Sequence, residues 1–148
     1  MTRKLAEKWL ILTAFLIYLI VLLTATLFTH NYYTYGRSSN LVLFSSVRLM
    51  LASHSILLIG KNIAGNVLLF LPFGLLFPLL KTHDRFFGTL FAGMACSLLI
   101  ELCQYYFAAR IFDIDDVLLN FIGTLIGRLS VVIYRLVSRR LILFFSIR

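Results

Sequence analysis

The sequence predicts an all-α integral membrane protein. It reads as a bundle of four transmembrane helices plus an interfacial amphipathic segment, with a fifth span as the alternative reading of that segment. Three observations predict it. Hydrophobic residues make up 61% of the chain, against roughly 45–50% in soluble domains. Charged residues make up only 14%, against about 25%. Most of those charges flank apolar runs of about 20 residues, the length that crosses a hydrocarbon core ~30 Å thick. A soluble fold this small has too little interior for so much apolar surface. The same composition excludes disorder. The length of 148 residues fits one domain, residues 1–148.

The elements follow in order. Trp9–Phe28 carries no charged residue, and Lys8 and Trp9 mark its start as interface anchors. It is too long for the apolar part of a signal peptide, and no A-x-A site follows, so it reads as a retained first span. Leu41–Ile59 is apolar but interrupted by Arg48 and His54, which suits a helix lying in the interface. Asn62–Leu80 lies between Lys61 and Lys81. Its Pro72, Gly74 and Pro78 predict a kinked or irregular span whose freed carbonyls neighbours must satisfy. Phe86–Ala109, bounded by Arg85 and Arg110, is the third span and contains one acid, Glu101. The fourth begins within Ile111–Val117 and ends near Val137. Its Gly123 and Gly127 form a GxxxG pattern that allows close helix contact. Leu141–Ile147 follows Arg139-Arg140, is too short to span, and is expected on the membrane surface. Cys96 and Cys103 share one apolar run at a helical separation too long for a disulfide and read as core thiols.

Lysine and arginine set the orientation. With the N-terminus inside, ten of the 14 fall on the inner side, leaving Arg37, Arg48, Lys61 and Arg110 outside. The positive-inside rule then puts both termini in the cytoplasm. The net charge of +8 is therefore a topology signal, and nucleic acid is not an expected partner. The bilayer is.

On this topology the polar residues converge. Asn62 and Asn66 open span two, Glu101 and Gln104 close span three, Arg110, Asp113, Asp115 and Asp116 follow in the connection, and Asn120 lies one turn into span four. Every acid except Glu7 and Asp84 falls in this outer layer. Three stripes have helical spacing: Ser97, Glu101, Gln104 and Ala108; Asp116, Asn120, Gly123 and Gly127; Asn62, Asn66 and Phe73. They are expected to face one another inside the bundle. A carboxyl within a span is costly and marks a functional site by default. The structural alternatives are an ion pair of Glu101 with Arg110 or Lys61, solvated Asp113 and Asp115, and Asn66 and Asn120 as interhelical glue. Arg128 favours a fourth helix starting near Ile111, which places it about 25 Å down and near the inner surface. His30, His54 and His83 are scattered over loops and suggest no ligand set.

The polar residues stand in motifs that resemble those of the VanZ-like family. Asn66-Val-Leu-Leu-Phe-Leu-Pro-Phe-Gly-Leu-Leu is similar to its NV-x-(L/F)-F-(I/L)-PFG-LL element. Glu101-Leu-Cys-Gln104 resembles its E-x-x-Q. Asp113-Ile-Asp-Asp116-Val-Leu-Leu-Asn120-Phe-Ile-Gly123 resembles its D-I-x-D-(V/L)-x-x-N-x-x-G. Arg37-Ser-Ser-Asn40-Leu-Val-Leu-Phe44 is similar to R-S-x-N-L-x-P-F, with Leu43 where the family usually has proline. The resemblance covers about residues 37–127. It implies a small multi-helix protein of the bacterial plasma membrane. The family's founding role is low-level resistance to teicoplanin, a lipid-tailed glycopeptide, and the resemblance names no reaction.

Three functions fit these residues. In the first, Asn66, Glu101, Gln104, Arg110, Asp113, Asp116 and Asn120 form an outward pocket under aromatic cover from Phe70, Phe73, Tyr105 and Tyr106. That pocket binds the head group of a lipid-linked or amphiphilic ligand, with acids taking a cation and Arg110 and Lys61 taking phosphate or carboxylate. In the second, Glu101 and Asp116 are general acid and base of an intramembrane enzyme. Alternatively Glu101, Asp113 and Asp116 hold a divalent cation, Mg²⁺ or Ca²⁺. No other cofactor is evident. The chain has no G-x-S-x-G, H-E-x-x-H or P-loop. In the third, the polar layer only locks a structural bundle.

Overall fold

A computed structural model describes residues 3–27, 39–81, 85–107 and 110–146. Phe28, His30, Arg37, His83, Asp84, Ala108, Ala109, Ile147 and Arg148 lie outside the described residues. The element order is α1 (Arg3–Leu27), β1 (Ser39–Asn40), α2 (Ser45–Ala52), α3 (Ile56–Ile59), a π-helical turn (Gly60–Ala64), α4 (Gly65–Leu80), α5 (Phe86–Phe107), β2 (Phe112–Asp113) and α6 (Ile114–Ser146). Four helical stretches are long and apolar enough to cross a membrane: Leu5–Leu27, Ile56–Leu80, Phe86–Phe107 and Ile114–Ser138.

Two boundaries and the place of one irregularity differ from the sequence-based expectation. The second span begins at Ile56 rather than Asn62. Leu41–Ile59 is therefore divided: α2 ends at Ala52, His54 turns the chain with a φ of 52°, and α3 enters the span. An eight-residue helix rises only about 12 Å, so α2 is not a fifth span. Second, α4 runs unbroken through Pro72 and Pro78. The irregular backbone is the π-helical turn upstream of them. The Tyr18 hydroxyl donates to the Leu69 carbonyl at 2.8 Å, next to the Leu68 carbonyl whose helical donor Pro72 lacks. Third, α6 continues through Ser146, so residues 141–146 are not a separate surface element. Its 33 residues rise about 50 Å, more than the hydrocarbon core needs, and Arg139-Arg140 falls just past the apolar stretch.

The bundle closes on a seam between α4 and α6. A Cβ on Gly123 would strike the Val67 carbonyl, one on Gly127 the Leu71 carbonyl, and one on Gly74 the Thr124 carbonyl. The GxxxG spacing thus brings two backbones into direct contact. Beside the seam, Phe15 and Leu22 of α1, Phe70 and Phe73 of α4, and Ile100 of α5 form the apolar core. Phe73 stacks on Phe77 at 5.1 Å and meets Phe15 edge-on at 5.7 Å.

Burial is inverted relative to a soluble protein. Among the described residues the buried polar side chains, from Thr26 to Arg128, are as numerous as the buried apolar ones. Large apolar side chains such as Ile56, Phe91 and Phe107 are more than three-quarters exposed. Water would oppose that surface and lipid accepts it. The chain is a membrane protein.

Candidate functional site: a polar cavity at one end of the bundle

The chain alternates direction, so α1 and α5 finish at the end of the bundle where α3–α4 and α6 begin. There a cavity of about 410 Å³ opens. Helix α5 contributes Ile100, Glu101 and Gln104, and α6 contributes Asp116 and Asn120. The π-helical turn and α4 contribute Lys61, Asn62, Asn66 and Leu69, α3 contributes Leu58, and α1 contributes Ala25 and Thr26. Arg110, from the α5–α6 connection, completes it. The π-helical turn matters here. It shifts helical register by about one residue in the segment that delivers Lys61 and Asn62.

Each polar group is positioned by a neighbour on another element. The Asn66 amide donates to Asp116 Oδ1 at 2.6 Å, tying α4 to α6. The Gln104 amide donates to the Thr26 carbonyl at 2.8 Å, and Arg110 Nη1 donates to the same oxygen at 3.3 Å. That carbonyl lies in the last turn of α1, where helical partners run out. The Arg110 backbone N–H returns to the Gln104 carbonyl at 3.2 Å. The Asn120 amide nitrogen donates to Ser97 Oγ at 2.9 Å, and the Thr124 hydroxyl donates to the Asn120 carbonyl at 3.0 Å. Asn120 Oδ1 is buried and has no hydrogen-bond partner among the described residues. Glu101 is 3% exposed and, among the described residues, accepts only the Asp113 backbone N–H, at 3.3 Å on Oε2. Among the described residues no ion pair ties Arg110 or Lys61 to Glu101 or Asp116.

A second cluster sits beside the cavity. Strands β1 and β2 pair in parallel, Asn40 opposite Asp113. The Asn40 amide donates to Asp113 Oδ1 at 3.1 Å, and the Ser46 hydroxyl donates to Asp113 Oδ2. Asp115 accepts three backbone N–H groups, from Phe44 at 2.6 Å, Ser46 at 3.0 Å and Val47 at 3.3 Å. It therefore caps α2 from a distance. Phe44, at the N-cap, has a φ of 63° and no side-chain cap of its own. A bulky residue disfavours that left-handed conformation, and the Asp115 carboxylate holds it there.

The cavity gathers six of the seven residues expected to bind a ligand: Asn66, Glu101, Gln104, Arg110, Asp116 and Asn120. Asp113 touches it only through its backbone N–H, its carboxylate being held by Asn40 and Ser46. Asp115 is not solvated but 1% exposed. Among the described residues no group of three or more His, Cys, Asp and Glu is placed to hold a metal ion. Glu101, Asp113 and Asp116 are not such a group. The expected aromatic cover is absent from the lining. Phe70 and Phe73 lie in the apolar core, while Tyr105 and Tyr106 line a separate shallow pocket with Ser39, Leu102 and Phe112. Arg128 is 4% exposed and stacks over the Phe86 ring at 5.2 Å. Phe86 opens α5, so Arg128 sits at the far end of the bundle. The sequence reading missed Thr26, Leu58 and the capping role of Asp115. A polar residue ending the first apolar run was the one available sign for Thr26.

Fold and site together define a polytopic helical membrane protein with a buried polar cavity at one end. The VanZ/LLP1 family model matches residues 15–138, and the chain belongs to that family. No curated protein and no solved structure matches it.

Proposed function

We propose that this protein is a cell-envelope module of the bacterial plasma membrane whose cavity holds the head group of an amphiphile. The observation that supports this reading is the mixed lining. Glu101, Gln104, Arg110, Asp116 and Asn120 lie in one cavity with the apolar side chains of Leu58, Leu69 and Ile100. A polar head and the start of a lipid tail need both surfaces at one site. The volume, about 410 Å³, is at the low end of the ~300–1,000 Å³ range of ligand pockets. It suits a small head group, or one part of a larger one. The positive-inside rule supports an outward-facing cavity with both termini in the cytoplasm. In the family's setting of teicoplanin resistance, retaining an envelope amphiphile would change what a lipid-tailed glycopeptide meets at the membrane.

The test is mass spectrometry of lipids and lipid-linked wall precursors, both co-purified with the protein and in whole membranes. Wild type is compared with Glu101→Gln at matched membrane abundance. The expected result is an amphiphile enriched on wild type, with unchanged membrane totals. Equal enrichment on the variant would contradict the reading. A species made or consumed only with wild type would replace it with an intramembrane enzyme using Glu101 and Asp116.

A further inference from the structure

We propose that the head group the cavity selects is a protonated amine with N–H donors, as on an amine-bearing phospholipid. This deepens the head-group reading and rests on it. Three acceptors on residues that line the cavity have no protein donor among the described residues. Asn120 Oδ1 is one: its residue is 5% exposed, its amide nitrogen is spent on Ser97, and the oxygen is unpartnered. Glu101 uses Oε2 for the Asp113 N–H, leaving Oε1. Asp116 uses Oδ1 for Asn66, leaving Oδ2. A primary ammonium carries three donors and no acceptor. Two carboxylates and an amide oxygen satisfy it in both charge and hydrogen bonding, which neither a hydroxyl nor a quaternary ammonium does. A buried acceptor left without a donor is costly, so the unpartnered Asn120 oxygen itself favours a donor-bearing ligand. The cations complete the match. Arg110 and Lys61 line the same cavity and suit the phosphate that links such an amine to its lipid.

The experiment measures binding of phosphatidylethanolamine, phosphatidylcholine and phosphatidylglycerol to the full chain in detergent, by native mass spectrometry. Soluble phosphoethanolamine is the fourth probe. Ethanolamine and choline heads carry the same charge and differ in N–H donors. The expected result is a preference of roughly tenfold or more for phosphatidylethanolamine over phosphatidylcholine. Glu101→Gln and Asp116→Asn should each reduce that preference. Equal binding of all three lipids would overturn the amine assignment, while the head-group reading stands if Glu101→Gln weakens them all. Soluble phosphoethanolamine binding as tightly as the lipid would instead overturn the amphiphile and keep the amine. Absence of binding by every probe would overturn both. The lipid comparison on wild type needs no variant to fold.

Discussion

Asp115 and Asp116 are neighbours in sequence and opposites in use. The Asp115 carboxylate accepts three backbone N–H groups and is 1% exposed. The Asp116 carboxylate accepts one side-chain amide and lines the cavity. Successive residues on a helix point about 100° apart. One acid therefore turns toward the first turn of α2, which it caps, and the other turns into the bundle. A saturated carboxylate anchors its surroundings, whereas one with a free oxygen can meet a ligand. The same contrast separates Asp113, clasped by Asn40 and Ser46, from Glu101, which accepts one backbone N–H.

The largest expected effect comes from the anchoring side. Asp115→Ala strands three backbone donors and the left-handed Phe44. It should cost about 3–5 kcal/mol, read as a large drop in thermal unfolding temperature in detergent and in membrane abundance. Next is the seam on which both regions stand. Gly127→Ala pushes a methyl into the Leu71 carbonyl and should cost roughly 1–3 kcal/mol. Gly60→Ala, where an added Cβ meets nothing, should leave the unfolding temperature almost unchanged. Gln104→Leu removes one of two donors to the Thr26 carbonyl, with Arg110 retained. About 1 kcal/mol is expected, together with a measurable loss of head-group binding. Among the polar substitutions the smallest stability effect belongs to the presenting side. Glu101→Gln should change unfolding by less than about 1 kcal/mol while removing most of the binding. If Glu101→Gln proved as destabilising as Asp115→Ala, the contrast would collapse into a purely structural polar layer.

The spans were legible because lipid demands long apolar runs, and the charges bounding them survive as words in the sequence. Helical spacing likewise put Ser97, Glu101 and Gln104 on one buried face, and Gly123 and Gly127 on the seam. What spacing could not show was contact between distant segments. Asn40 meets Asp113 across 73 residues, and no local pattern encodes that pairing. For the same reason the Asp113-Ile-Asp-Asp116 run reads as one acidic cluster, although the fold divides it. The start of the second span was misplaced because Lys61 reads as a boundary charge. In the structure it rides inside the helix on the π-helical turn, its side chain exposed at the cavity.

The division of labour between the two adjacent aspartates is tested most directly by pairing Asp115→Asn with Asp116→Asn. Unfolding temperature and phosphatidylethanolamine binding would be measured on both proteins, purified in the same detergent. Asp115→Asn should lose stability, and whatever folded protein remains should still bind. Asp116→Asn should stay near wild-type stability and lose binding. Equal losses of stability in both, or unimpaired binding by Asp116→Asn, would contradict this division.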